Sequence, residues 1–330
     1  MNVTKKILAL LLTAMMAALC VVPTFAATAK YNTYSVIGDS IAAGYMLPGY
    51  KFGGKKKAAW HLQEGSYPWY IARAVGAKKT YQMAHGGYRT SDVRLILDDT
   101  YEGDFINGRR LPSVGKTREV DWTAMKKLQK EFRGNIAKSD LITVNIGIND
   151  STQPLMITME TLTADVGVLG NQVAALLDPF NYVKNTLNNI NTLVVDAQFY
   201  AALAQAELTS FRMFSENFDA IVSRIHELNP EAKLIVVGLY NASENDTIPS
   251  GGIGIPIGDI FGSLYANMNN YMQNGSPYAS KGYYTFVDTW GISSHMNDPE
   301  SPMFRGDNHP TLKGHQQIAD RILAVLPTRK

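Results

Sequence analysis

Hydrophobic positions along this chain follow two periods, and the two alternate. Short runs of β-branched and aromatic residues, bounded by glycine or polar turns, occur at Tyr34 to Ile37, Lys79 to Met83, Leu141 to Ile146, Lys233 to Leu239 and Tyr283 to Val287. Runs of that length and composition read as buried strands. Between them the spacing is helical. Tyr67 to Val75 is closed by Gly76, and Thr90 or Ser91 can cap the segment after Gly86-Gly87. Trp122 to Phe132 and Phe214 to Leu228 keep the same spacing, the latter stopping before Pro230. Leu312, Ala319, Ile322, Leu323 and Leu326 share one face of a last helix. Strands that alternate with helices pair in parallel through right-handed crossovers. The expectation is an α/β fold: a three-layer α/β/α sandwich of flavodoxin-like type around a central parallel sheet of about five strands.

Three stretches depart from that rhythm. From Leu176 to Phe211 the apolar residues alternate at spacings of four and three, the 3.5-residue repeat of long helical packing. With the segment before it, this predicts a helical insertion at about 155–211, either a lid over a site or, favoured here, extra core packed on the sheet. Residues 98–120 are polar, with glycine and arginine, and predict a surface excursion. Ser250 to Gly258 is apolar and glycine-rich at once, which suits the wall of an apolar pocket or a buried connection.

The amino terminus is of another kind. Lys5 and Lys6 precede an apolar run from Ile7 to Val22, and small residues follow at Ala26, Ala27 and Ala29. This is the pattern of a secretory signal peptide over residues 1–29, cut after Ala26 or Ala29, and it leaves residues 30–330 as one secreted domain. The single cysteine, Cys20, falls inside the leader, so the mature chain is expected to hold no disulfide. The leader also carries the charge excess: of 31 Lys and Arg against 29 Asp and Glu, two are Lys5 and Lys6. A near-neutral mature chain gives no support for nucleic-acid binding. No second apolar span of membrane length follows, so no stable membrane anchor is expected after cleavage.

Chemistry-bearing residues cluster where strands end, the place where open α/β sheets keep their sites. Ser40 follows the first strand in Gly38-Asp39-Ser40, and Gly87 follows the second in Ala84-His85-Gly86-Gly87-Tyr88. Asn149 follows the third in Gly147-Ile148-Asn149-Asp150, and His309 sits in Gly306-Asp307-Asn308-His309-Pro310 before the final helix. Cleaving an ester needs a nucleophile, a base for its proton, and donors where the oxyanion forms. Ser40 can attack, His309 can take its proton, and a carboxylate can orient the imidazole. Asp307 is the nearest carboxylate. No spacing suggests a bound metal, and this chemistry needs no cofactor.

In that order and context the four stretches resemble the motifs of the SGNH (GDSL-type) hydrolase family, over about residues 33–326. The resemblance implies the SGNH hydrolase fold and a serine esterase. It implies an oxyanion hole from the Ser40 and Gly87 backbone N–H groups and the Asn149 amide. The chain departs from the family in one place: the acid usually stands three residues before the histidine, where this chain has Gly306, and Asp307 is two before. The substrate could be a lipid or other small-molecule acyl ester, as for a lipase or acylhydrolase, or an acylated extracellular polysaccharide, as for a carbohydrate esterase. Trp60, Tyr67, Trp69, Tyr88 and Trp290 could stack on sugars, although their spacing suits core or rim, and His85, His295 and His315 could contact substrate or serve structure. An α/β-hydrolase is disfavoured because Gly38-Asp39-Ser40-Ile41-Ala42 lacks the second glycine of the nucleophile elbow. An inactive secreted binding module on the same scaffold is the alternative of another class.

Overall fold

The computed structural model describes residues 30–50, 61–103, 105–106, 109–110, 122–152, 154, 197–244, 246–250, 253–301 and 307–327. In chain order the first half comprises β1 (Thr33–Gly38), α1 (Ser40–Ala43), α2 (Tyr67–Val75), β2 (Lys79–Gln82), α3 (Thr90–Leu97), a small hairpin of β3 (Phe105–Ile106) and β4 (Arg109–Arg110), α4 (Trp122–Ile136) and β5 (Leu141–Asn145). The second half comprises α5 (Ala197–Leu228), β6 (Lys233–Val237), a hairpin of β7 (Ile248–Ser250) and β8 (Ile253–Ile255), α6 (Ile257–Asn270), α7 (Pro277–Ser280), β9 (Thr285–Val287) and α8 (Leu312–Val325).

The main sheet has five strands in the order β2-β1-β5-β6-β9, and every pairing is parallel. Because the chain fills one side of β1 with β2 and then crosses to β5, the strand order reverses around β1. That reversal opens a crevice at the carboxyl ends of the strands, the usual location of a site in such sheets. The centre of the sheet is fully covered: Val36, Ile37, Leu141, Ile142, Ile235, Val236 and Val237 are buried, as two-sided packing of apolar strands requires. Flanking helices supply the partners, with Phe214, Phe218, Ile221, Val222 and Ile225 of α5 buried as a continuous stripe. Gly38 ends β1 where a side chain has no room, since a Cβ there would lie 2.5 Å from the Asn145 carbonyl oxygen and 2.6 Å from the Ala42 Cβ.

The strands and most helices fall where the sequence pattern puts them, with four differences. The helix after Gly86-Gly87 is preceded by Arg89 as its cap, not Thr90 or Ser91. The Asp92 carboxylate accepts the Arg89 N–H at 2.9 Å, while the Thr90 hydroxyl is drawn away to Asp150. Residues 197–211 and 214–228 form one 32-residue helix with no break between them. The helix predicted to end at Phe132 runs on to Ile136, and Ile253–Ile255 of the glycine-rich stretch form β8, paired with β7, before α6 begins. The predicted leader, Trp60, Gly306, residues 155–196 of the predicted insertion and most of residues 104–121 lie outside the described residues. Among the described residues, no helix is long and apolar enough to cross a membrane.

Candidate active site

Ser40 stands at the first position of the short helix α1, directly after β1. Asp39 caps that helix: its Oδ1 accepts the Ile41 N–H at 2.9 Å, and its Oδ2 is buried without a hydrogen-bond partner. The strand below is locked by the parallel register Gly38↔Asn145. Burial pushes the Asp39 carboxyl up from 3.8 to about 7, against the opposing pull of the Ile41 N–H and the charge of His309.

His309 arrives from the far end of the sequence. The loop that carries it is tied to the 293–295 segment: Ser294 and Pro310 form a bridge, and the His295 N–H donates to the His309 carbonyl at 3.0 Å. His309 Nε2 lies 2.9 Å from Ser40 Oγ, and its Nδ1 lies 2.5 Å from Asp307 Oδ1. The same carboxylate oxygen accepts the His309 backbone N–H at 2.9 Å, a turn that an aspartate two residues before makes with its own chain. This local bite is how Asp307 reaches the imidazole despite standing one position nearer than the family pattern. Burial raises the Asp307 carboxyl, but the bond from His309, the charge of that ring and the backbone N–H outweigh it and hold the group below its ordinary value.

Two loops complete the crevice. Gly86 packs beside the nucleophile, where a Cβ would come within 3.8 Å of the Ser40 Cβ. Gly87 has φ 83°, a left-handed conformation that favours glycine, and the space beside its Cα is open. After β5, Asn149 donates one amide hydrogen to the Tyr88 carbonyl at 2.9 Å, which fixes the side chain across the Gly87 loop. Asp150 anchors the same two loops to each other: it accepts the Thr90 N–H at 2.9 Å and the Thr90 hydroxyl. The arrangement thus brings Ser40, His309 and Asp307 into one hydrogen-bonded line and fastens the loops of Gly87 and Asn149 together beside it. Among the described residues no group of three or more His, Cys, Asp or Glu side chains is placed to hold a metal ion.

A profile of the GDSL-like lipase/acylhydrolase family matches residues 36–317, a span that begins on β1 and ends on α8. The chain belongs to the GDSL-like lipase/acylhydrolase family. It is accordingly an ester-bond hydrolase with the SGNH fold. No curated protein sequence matches it. Among solved structures, phospholipase A1 from Streptomyces albidoflavus NA297 is 15% identical, with 89% of this chain and 98% of that one aligned at a TM-score of 0.50. An extracellular lipase from Streptomyces rimosus is 17% identical over 88% of this chain and 98% of the other, at 0.47. A family two carbohydrate esterase from Clostridium thermocellum is 15% identical over 89% and 62%, at 0.41.

Within this GDSL-like hydrolase the other candidate histidines and aromatics separate by position. His315 is wholly buried and accepts the Tyr67 N–H at 3.3 Å through Nδ1, so it serves the packing of α8 on α2. Burial pushes that imidazole down from 6.5 to about 3, with the charges of His309 and His295 adding to the effect. His295 is buried behind the His309 loop with Nδ1 2.6 Å from the Ser301 hydroxyl, and desolvation lowers its pKa. His85 bonds the Gly86 carbonyl at 2.9 Å and lies at the rim. Tyr67 and Tyr88 are core residues, while Trp69 and Trp290 are half-buried. Pattern reading missed the roles of Asp39 and Asp150, although both lie inside the quoted motifs.

Proposed function

We propose that the protein is a secreted serine esterase of the lipase/acylhydrolase kind, with Ser40 as nucleophile, His309 as general base and acid, and Asp307 orienting the imidazole. The observation that carries this reading is the unbroken line Asp307 Oδ1, His309 Nδ1, His309 Nε2, Ser40 Oγ, at 2.5 and 2.9 Å. Ser40 passes its proton to Nε2 as Oγ attacks the ester carbonyl carbon, and the carbonyl oxygen becomes an oxyanion. That oxyanion accepts hydrogen bonds from the Ser40 and Gly87 backbone N–H groups and from the Asn149 amide. Collapse of the intermediate expels the alcohol, which takes the proton from His309, and leaves an acyl group on Ser40. Water, deprotonated by His309, then releases the acid. Asp307 stays ionised throughout and stabilises the imidazolium, a role consistent with its lowered pKa.

The acyl-substrate reading rests on the match to the lipase/acylhydrolase family. Secretion and cleavage after Ala26 or Ala29 rest on the leader pattern of residues 1–29, and residues 30–330 are read as one hydrolase domain with an insertion at about 155–211.

The test is hydrolysis of a series of chromogenic esters from acetyl to long acyl chains by wild type and Ser40→Ala, alongside mass analysis after a serine-directed phosphonylating reagent. A Ser40-dependent rate that peaks at medium or long chains, with the label on Ser40, is expected. A peak at acetyl redirects the reading to sugar deacetylation, and no rate above the Ser40→Ala control together with no labelling refutes the esterase mechanism.

A further inference from the structure

Among the described residues Tyr45 is the aromatic ring in contact with the candidate base, and the chain is bent to hold it there. It follows the Gly44 cap of α1, which has φ 76°, and precedes Met46 at φ 68°, the one non-glycine residue with positive φ among the described residues. A bulky residue in that conformation is strained and persists only where its surroundings hold it. The Tyr45 N–H donates to the Ser40 carbonyl at 2.9 Å, so the turn is tied to the nucleophile itself. Its ring centroid then lies 4.5 Å from that of His309, tilted by 39°, while Tyr50 backs it edge-on at 5.4 Å.

An aromatic face at this distance attracts a cation far more than a neutral ring. His309 is neutral before Ser40 is activated and cationic afterwards, so the attraction grows as the reaction proceeds and acts on the transition state. We propose that Tyr45 is a positioning residue for His309, its ring face confining the imidazole and stabilising the imidazolium formed when Ser40 gives up its proton. This rests on the Ser40–His309 reading above. The other groups that act on His309 are Asp307 on its own loop, Asp39 after β1, His295 on the neighbouring segment and His315 on α8, and the Tyr240 hydroxyl bonds the carbonyl of the adjacent Asn308. None of them is altered by a change at Tyr45, which makes its contribution separable.

The experiment compares wild type, Tyr45→Phe and Tyr45→Leu by pH profiles of kcat and KM on a short soluble chromogenic ester. The His309 ring is titrated by NMR in the same proteins. Loss of the face in Tyr45→Leu should lower kcat by about 2- to 30-fold and move both the acid limb and the imidazole midpoint down by about 0.4 to 1.5 pH units. KM should stay within about twofold, and Tyr45→Phe, which keeps the face, should match wild type. Superposed profiles for Tyr45→Leu and wild type, or equal effects of Phe and Leu, would overturn the proposal. So would a change in KM and chain-length preference with the midpoints unmoved, because Tyr45 would then be a pocket wall. If circular dichroism shows Tyr45→Leu unfolded, Tyr45→Met supplies an unbranched side chain without a π face and is judged by the same criteria. Activity surviving in Ser40→Ala would defeat the Ser40 reading alone, and the NMR midpoints would still decide the contact.

Discussion

Replacing Asp39 by asparagine should make the protein more stable, by an amount that grows from about pH 4 and levels off above about pH 7. The carboxyl is wholly buried, one of its oxygens has no partner, and its pKa is raised from 3.8 to about 7. Between those values the unfolded chain has released the proton and the folded chain has kept it, so stability falls as pH rises through that window. The raised pKa corresponds to a loss of up to about 4 kcal/mol across the window. Asparagine has nearly the same shape, offers a carbonyl oxygen to the Ile41 N–H and never ionises. His315 titrates in the opposite sense: its pKa is lowered from 6.5 to about 3, so its contribution to stability is lost as pH falls through that range. In the wild type the two slopes oppose each other where both apply. In Asp39→Asn the histidine slope is unmasked, and stability should climb by about 3 kcal/mol from about pH 4 to about pH 6.5. Urea unfolding of both proteins at intervals from about pH 4 to about pH 8, with equal m values, measures the difference directly. A difference that grows with pH to a few kcal/mol is expected. An offset independent of pH would mean that Asp39 is ionised in the folded protein throughout, and the burial argument would fail.

Three further outcomes follow from the geometry. Asn149→Ala should lower kcat by about 10²- to 10³-fold, because it removes one of the proposed oxyanion donors, and should also lower the melting temperature, because it strands the buried Tyr88 carbonyl. Asp150→Ala should cost both activity and stability, because it strands the Thr90 N–H and hydroxyl that fasten the Gly87 loop; hydrogen exchange should show faster opening at residues 86–91, and unchanged exchange would refute the clamp. Gly314→Ala should destabilise by at least about 1–3 kcal/mol, read as a fall in melting temperature, because its Cβ would lie 1.9 Å from the Ser293 carbonyl oxygen in the segment that holds the His309 loop.

The parallel sheet was legible because its three central strands, β1, β5 and β6, are buried on both faces and therefore read as nearly continuous apolar runs. Ser40, Asn149 and Gly87 were legible as candidates because each sits where such a run stops. The continuity of α5 was also present in the chain: nothing between Phe211 and Phe214 breaks a helix, and the stripe of Phe214, Phe218, Ile221 and Ile225 simply continues the earlier spacing. The capping of α3 was not legible, since the Thr90 hydroxyl that local chemistry would use is taken by a carboxylate 60 residues away.

What the sequence by itself determined was the alternation of elements, hence the parallel sheet, and the set of side chains offered at its carboxyl edge. Local spacing can do this because periodicity and turn chemistry act over a few residues. The tertiary structure alone decided which of them meet. Ser40 and His309 stand 269 positions apart and lie 2.9 Å from each other, and it is the strand order, with β1 beside β5, that opens the crevice where they converge. The pKa of Asp39, the burial of His315 and the ring of Tyr45 over the imidazole belong to the same class. Each depends on which distant surfaces exclude water from a group or press against it, and no local pattern encodes that.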